Sequence, residues 1–526
     1  MADSRRLHAS RAAFCASRLV VLVALAWSAV YVIVAATRVA YPYDLDFLED
    51  SILMQSRRIA DGQPVYLPPN ADFVPHVYMP LYTWLGGLLF KLTGPSFLPL
   101  RLLSFAATLT TAALVFLIAR RESGKNWLAI ACAGLWLGGY RIMDGWYELA
   151  RVDSLFVTLS LAGFALGVYA GSSRRQLVAA AIVMALASLS KQTGLLFAVG
   201  LVAYLLLTQG RRAWLFVLVY GVLAAIPVAL LMASSGGWFG YYVFGIASSN
   251  PIELERIVSY VRFELFGLMA GLSLMAAGGA ILAARRARRG VFHEWPWLIG
   301  MGLAIVISGT GRASVGGAMN NLMPAYAFLC LAPAVFVREW PARRGSKTSE
   351  VSANHLRGAA ERVQTSEVSA RPTTQGQVVQ VLVAAAILAQ FALGVYNPLR
   401  FIPTAGMRAA GDRLVARVAA IDGPVYVMMH PYYALLAGKQ VAAQIAVVWH
   451  ARERGQQPLP EDLVRRIEDQ YYAAIVYDDT LFERDPPLAA LLEANYVRSQ
   501  TLSMADAPST LTGMLARPME ILVPRR

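Results

Sequence analysis

RLVVLVALAWSAVYVIVAATRVA, residues 18–40, is followed almost at once by YDLDFLED, residues 43–50. The first stretch is apolar and long enough to cross a bilayer, which takes about 20 such residues. The second holds four carboxylates, Asp44, Asp46, Glu49 and Asp50, where the chain leaves the hydrocarbon. Acids are costly in lipid, so their place at this boundary needs a reason. Similar apolar runs recur as far as residue 337 and once more at 378–396. Of the 526 residues, 57% are hydrophobic and 15% charged, too little charge to cover a soluble protein of this size. The sequence therefore reads as an α-helical polytopic membrane protein.

The net charge of +14 does not point to nucleic acid. The basic residues sit in short clusters between apolar runs, as membrane orientation requires. Cys15, Cys132 and Cys330 are far apart and signal neither a zinc site nor a disulfide framework. Arg5, Arg6, Arg11 and Arg18 precede the first apolar core as in a signal peptide, but the core is too long for one, so it reads as an uncleaved span.

The positive-inside rule sets the topology. The N-terminal arginines, Arg120/Arg121/Lys125, Arg174/Arg175, Arg211/Arg212, Arg285/Arg286/Arg288/Arg289 and the segment 338–377 all fall on one side with eleven crossings. These are 18–40, 98–119, 127–142, 154–171, 177–190, 193–208, 213–234, 263–283, 295–311, 321–337 and 378–396. The N-terminus is then cytoplasmic and the C-terminus extracytoplasmic. PLYTWLGGLLFKLTG, 80–94, would reverse every later cluster if it crossed, so it reads as an amphipathic helix on the outer surface.

Residues 1–337 thus form a transmembrane module with a long outer loop, 41–97. Residues 338–377 carry TSEVSA twice and read as a flexible cytoplasmic linker, and 378–396 is the last crossing. In 397–526, β-rich runs such as PVYVMM and AAIVYD flank helical stretches, which predicts a small extracytoplasmic α/β domain.

On this topology the unusual polar residues gather on the outer face. The first outer loop supplies the four acids with Arg57, Arg58, His76 and Lys91. RIMDGWYELARVD, 141–153, supplies Asp144, Glu148, Arg151 and Asp153. SLSKQTG, 188–194, supplies Lys191 and Gln192, and GTGRASVGGAMNN, 309–321, supplies Arg312, Asn320 and Asn321. Carboxylates and cations converging at a membrane surface suit group transfer from a lipid phosphate ester. A carboxylate can take the proton of an acceptor hydroxyl, and Arg and Lys can hold the charge growing on the phosphate.

Each residue also has a structural reading. Asp46 and Glu49 match the ends of a capping box for a helix that stops at Gly62, and Asp50 suits that helix N-terminus. Arg57 and Arg58 could anchor lipid headgroups, Arg151 could pair with Asp153, Lys191 could snorkel, and His76 could be an ordinary loop residue. No His-and-acid spacing has metal-site character. The functional reading rests on the convergence of these residues on one face.

The order of the pieces resembles the GT-C glycosyltransferases, in particular the group of aminoarabinose transferases, protein mannosyltransferases and rhizobial core-sugar transferases. The carrying stretches are LDFLED, QSRRIADGQPVY, YMPLYTWLGGLLFKLTG, LRLLSFAATLTTAALVFLIARR, YELARVDSLFVTLSLAGFALG and LASLSKQTGLLF, with GGAMNNLMPAYAFL further on. The resemblance covers residues 15–210 well and the later spans loosely. It implies a GT-C-like membrane bundle with two amphipathic helices in the first outer loop, and a catalytic carboxylate in that loop. The family's usual adjacent Asp-Glu pair is replaced here by Asp46, Glu49 and Asp50. Glu49 and Asp46 are the implied catalytic residues, with Asp44 third. Arg151 and Asp153 take the second-loop position, and Lys191, with Arg58, the lipid-phosphate position.

The implied activity is inverting transfer of a monosaccharide from a polyprenyl-phosphate donor, on the outer face of a bacterial plasma membrane. The acceptor would be a glycan, lipid or protein of the envelope, and membrane lipid the surrounding partner. No cofactor is required, because fixed cations can hold the leaving phosphate; magnesium or manganese could assist. The competing readings are a secondary transporter, a non-catalytic glycan-binding membrane subunit, and a polymerase or ligase of lipid-linked glycans.

Overall fold

Apolar stretches that outrun the length of ordinary core helices fold here as long helices, as their composition requires. The computed structural model describes residues 2–287, 295–340, 374–478 and 485–525. Among the described residues up to 234, the α-helices are α1 (Ala2–Val39), α2 (Glu49–Ala60), α3 (Leu81–Thr93), α4 (Phe97–Ser123), α5 (Asn126–Gly138), α6 (Asp153–Val168), α7 (Arg174–Ser190), α8 (Gly194–Gln209) and α9 (Ala213–Ser234).

Five helical stretches among the described residues are long and apolar enough to cross a bilayer: Ser10–Val39, Phe97–Ser123, Gly194–Ser234, Met319–Glu339 and Gln375–Leu393. The pair Leu254–Leu268 and Ala270–Arg286, bent by 94°, adds a sixth if it is one span. The stretch Gly194–Ser234 takes in two of the expected crossings. They part at Gly210, whose φ of +57° is open to glycine and strained for other residues. The other expected crossings lie on shorter helices, α5, α6, α7 and Pro296–Ala313. The expected linker 338–377 falls outside the described residues except at its ends.

The interior of the bundle is aromatic. Tyr31, Trp136, Tyr140, Tyr147, Trp297 and Tyr326 are buried in one cluster. Three of them donate to backbone carbonyls: Trp136 Nε1 to Thr108 at 3.0 Å, Tyr147 Oη to Trp136 at 2.8 Å and Tyr326 Oη to Leu135 at 2.8 Å. Buried polar groups without such partners are expensive, so these bonds help fix one packing of the helices.

Both helices expected in the first outer loop are present. Helix α2 stops where Asp61 and Gly62 close its last turn, Gly62 at φ +70°. Helix α3 packs on α2 through Gly86 and Gly87, which face Ser56 and Ile59. Its other face leaves Trp84, Leu88 and Leu92 exposed, one turn apart in a single stripe. A free apolar stripe on a short helix is what a membrane interface would cover.

The C-terminal region forms a four-stranded sheet in the order β1-β2-β4-β3, with β1 Val425–Val427, β2 Ala474–Tyr477, β3 Tyr496–Thr501 and β4 Glu520–Pro524. β1 and β2 are parallel, and the helices Pro431–Leu436, Ile445–Trp449 and Glu461–Glu468 make the crossover that parallel strands need. β2–β4 and β4–β3 are antiparallel. The sheet shares its buried cluster with the helical part. Val425, Val427, Ala474 and Val476 belong with Tyr43, Leu45 and Tyr147. Arg38, at the end of α1, is buried in the same region. It pairs with Glu148 and donates to the carbonyls of Gly145 and Phe401 and to Thr512 Oγ1, at 3.1, 2.9 and 2.7 Å.

Candidate active site

Glu49 opens α2 and is fully buried. Arg101, in the first turns of α4, meets it in bidentate fashion, Nε to Oε1 at 2.9 Å and Nη2 to Oε2 at 2.6 Å. The backbone N–H groups of Leu45 and Ala150 donate to the same carboxylate, both at 2.7 Å. Arg101 spends its other donors on the carbonyls of Tyr41 and Tyr43, at 2.6 and 2.7 Å. Burial alone would raise this carboxyl, but Arg101 and the backbone donors hold it below the ordinary value. A carboxylate so charged and so fully bonded is poorly placed to accept a proton. Glu49 therefore behaves as a structural node joining α2, α4 and the second outer loop, which is the capping reading extended over long range. Its Oε2 also lies 3.4 Å from the Asp46 N–H, while Asp46 Oδ1 accepts from Leu48 N–H at 3.2 Å.

Asp46 is in a different situation. It is buried, and its Oδ1 lies 3.2 Å from Arg151 Nη1. Burial drives its pKa up to about 7, against the pull of Arg151, and Glu49 adds to the rise. Arg151 sits in the loop before α6, where its Nη2 donates to Tyr78 Oη at 3.2 Å and its guanidinium lies 5.2 Å from the Trp146 ring. Its Nε is buried with no hydrogen-bond partner among the described residues. Asp153, the first residue of α6, accepts from Lys191 Nζ at 2.8 Å and from Asn320 Nδ2 at 3.0 Å. Lys191 lies in the turn between α7 and α8, 5.6 Å from the Tyr78 ring. Four stretches distant in sequence thus meet in one buried cluster.

His76 lies against this cluster. Its ring stacks on Tyr78 at 4.4 Å, its backbone N–H donates to Gln55 Oε1 at 3.0 Å, and neither ring nitrogen has a hydrogen-bond partner among the described residues. Burial and the neighbouring Arg151 push its pKa well below the usual imidazole value, so it is neutral.

The remaining acids of the motif face the C-terminal region. Asp44 Oδ2 lies 2.7 Å from His430 Nδ1, and His430 Nε2 lies 3.1 Å from Asp478 Oδ2. Burial works against charge on His430, but the two carboxylates win and raise its pKa well above the usual value. Asp50 accepts from Tyr432 N–H at 3.3 Å, and burial beside Asp44 raises its carboxyl well above the ordinary range. Asp44 is therefore bound into a contact between the first outer loop and the sheet region. It is set apart from Arg151 and Lys191 by its partners.

Arg58 has no contact with the cluster of Asp46 and Arg151 among its hydrogen bonds and ring contacts. It lies on the outward side of α2, with Nε and Nη2 donating to the Pro64 carbonyl at 3.1 and 2.9 Å and its guanidinium over the Phe73 ring. Among the described residues, no three His, Cys, Asp or Glu side chains are arranged to hold a metal ion. Sequence reasoning passed over Arg38, Tyr78, His430 and Asp478. Arg38 had a usable signal, a charge inside an apolar run. The others had none, because ordinary Tyr, His and Asp side chains in loops carry no spacing to distant partners.

The protein-family model described as dolichyl-phosphate-mannose-protein mannosyltransferase matches residues 75–238. No individually curated protein matches the sequence. Among solved structures, ArnT from Cupriavidus metallidurans in the apo state is 14% identical, with a TM-score of 0.57 over 95% of this chain and 97% of that one. The same protein bound to undecaprenyl phosphate is 13% identical, with a TM-score of 0.58 over the same shares. The archaeal oligosaccharyltransferase AglB from Archaeoglobus fulgidus, in complex with an inhibitory peptide and a dolichol-phosphate, is 13% identical, with a TM-score of 0.51 over 90% of this chain and 72% of that one. At these identities the likeness is one of fold.

Proposed function

Starting from a chain with the GT-C fold, we propose that it is a membrane glycosyltransferase that takes a monosaccharide from a polyprenyl-phosphate donor. One observation carries the reading. The buried cluster holds Asp46, a carboxylate with a raised pKa, beside Arg151 and His76, whose Nε and ring nitrogens have no hydrogen-bond partner among the described residues. The Arg151 Nε–H and the single N–H of the neutral His76, next to Lys191, are donors suited to a phosphate oxyanion. The solved relative that holds undecaprenyl phosphate has the same fold, which supports a polyprenyl carrier here.

In this reading the donor phosphate lies among Arg151, Lys191 and the His76 N–H, and Tyr78 keeps Arg151 in place. The acceptor hydroxyl attacks the anomeric carbon opposite the phosphate. The new bond joins acceptor oxygen to that carbon, the bond from carbon to phosphate oxygen breaks, and the hydroxyl proton passes to Asp46. Polyprenyl phosphate leaves with the bonding electrons, its growing charge held by Arg151 and Lys191. The configuration at the anomeric carbon inverts. Glu49 takes no proton; it holds the loop that presents Asp46. Asp153 orients Lys191. In the same reading this cluster lies at the outer surface of the bacterial plasma membrane, with eleven crossings, a cytoplasmic N-terminus and the sheet region outside. The acceptor belongs to the cell envelope.

The test is reconstitution. Purified protein in liposomes, given a polyprenyl-phosphate sugar and envelope glycans, should release polyprenyl phosphate and label a glycan, both followed by mass spectrometry. Sugar that crosses the bilayer with no covalent transfer would return the transporter reading, and release of a polyprenyl diphosphate would favour the ligase.

A further inference from the structure

Helix α2, the loop 63–74 and the segment 439–447 enclose a cavity of about 220 Å³ that does not include Asp46, Arg151 or Lys191. It is smaller than the roughly 300–1,000 Å³ of drug-sized ligand sites, which suits one sugar unit. Its polar walls are uneven in charge. Arg57 is paired with Asp61, at 3.6 Å. Asp72 gives both oxygens to Arg466, at 2.7 and 3.2 Å, and Oδ1 also to Gln440. Two cations, Arg58 and Lys439, have no carboxylate partner among the described residues. Each spends its hydrogen bonds on a backbone carbonyl, of Pro64 and Ile421 respectively.

A second observation concerns Gln444, which lines the cavity, is buried, and has a side-chain oxygen with no hydrogen-bond partner among the described residues. Its amide nitrogen is fixed by the carbonyls of Phe47 and Met429, at 2.5 and 2.7 Å, so the oxygen cannot turn away to seek one. Phe47 follows Asp46 in the chain, so Gln444 ties one wall of the cavity to the backbone segment that carries the carboxylate proposed as base, while Arg151 and Lys191 line no part of it.

We propose that this cavity is the acceptor subsite and takes a sugar carrying an anionic group, a carboxylate or a phosphate, with the anion on Arg58 and Lys439 and a hydroxyl donating to Gln444. The assignment rests on the transferase reading, since that is what makes the ligand an acceptor. Arg58 then serves the acceptor and not the lipid phosphate, and residues 439–447 give the C-terminal region a part in substrate selection.

The experiment reads binding in the absence of any lipid donor. Full-length protein in nanodiscs is titrated with glucuronate, glucose 6-phosphate and glucose by saturation-transfer NMR. One or both anionic sugars should bind at least about tenfold more tightly than glucose, the scale of one charge-assisted hydrogen bond. Arg58→Ala and Lys439→Ala should each remove that preference, and whichever of glucuronate and glucose 6-phosphate binds better tells carboxylate from phosphate. Equal binding of all three sugars, or a preference that survives both substitutions, overturns the proposal. If the preference is found but no transfer is ever detected, the cavity stands as a binding site for anionic sugars and the transferase reading falls.

Discussion

Two carboxylates three residues apart, Glu49 and Asp46, have been put to opposite uses. The region around Glu49 is complete: Arg101 on two atoms, two close backbone donors, and no capacity left over. The region around Asp46 is unfinished: one arginine at 3.2 Å, that arginine's Nε idle, and a buried imidazole with both nitrogens free. Both are buried, so burial does not separate them. Saturation does. On the proposed reading Glu49 holds the fold, and the polar atoms left over around Asp46 are those that a bound phosphate would pair.

The contrast can be broken by exchanging one oxygen for nitrogen in each region. Asp46→Asn should fold normally and lose on the order of 10²–10⁴ in transfer rate, the usual worth of a general base. Glu49→Gln should do the reverse. It strips a partner from buried Arg101 and costs about 3–5 kcal/mol, read as a fall in thermal midpoint and in the yield of folded protein. Specific activity per folded molecule should change little. If Glu49→Gln were stable but inactive, the two roles would have to be exchanged.

The pH dependence sharpens the comparison. The Asp46 pKa of about 7 in the fold lies well above the roughly 3.9 of an unfolded aspartate. A raised value means the stability it contributes is present in full below the unfolded pKa and lost as pH rises through about 7. A base must be deprotonated to act, so activity should climb over the same window in which thermal stability declines. Asp46→Asn should flatten the stability trend. A rate that falls from pH 6 to 8 would contradict the assignment.

The smallest expected effect concerns His76. His76→Phe keeps the stacking on Tyr78 and removes both ring nitrogens, so affinity for the lipid phosphate should fall about tenfold or less with little change in folding. No change in donor KM would take His76 out of the phosphate site.

How far this was readable in advance differs between the fold and the site. The helical bundle follows from the apolar runs, and α3 was assigned to the surface because counting it as a crossing misplaced the later arginines. The convergence of Asp46, Arg151, Asp153 and Lys191 followed from topology. Which acid is the free one did not. In the sequence Glu49 and Asp46 look alike, and the difference is made by Arg101, 52 positions downstream of Glu49. The sheet region could be outlined from its β-rich runs, but not its docking on the motif. His430 meets Asp44 across 386 positions, and no local pattern reports a pairing at that distance.

The Arg38 contacts have a bearing on how the molecule is made. This guanidinium lies 363 and 474 positions before two of its acceptors, the Phe401 carbonyl and Thr512. While translation proceeds, a charge at the end of the first span must stay hydrated, held only by what the early helices offer. Arg38 therefore gains its full set of partners only when segments 363 and 474 positions away have come together with it, so a chain lacking those segments would keep this latch open.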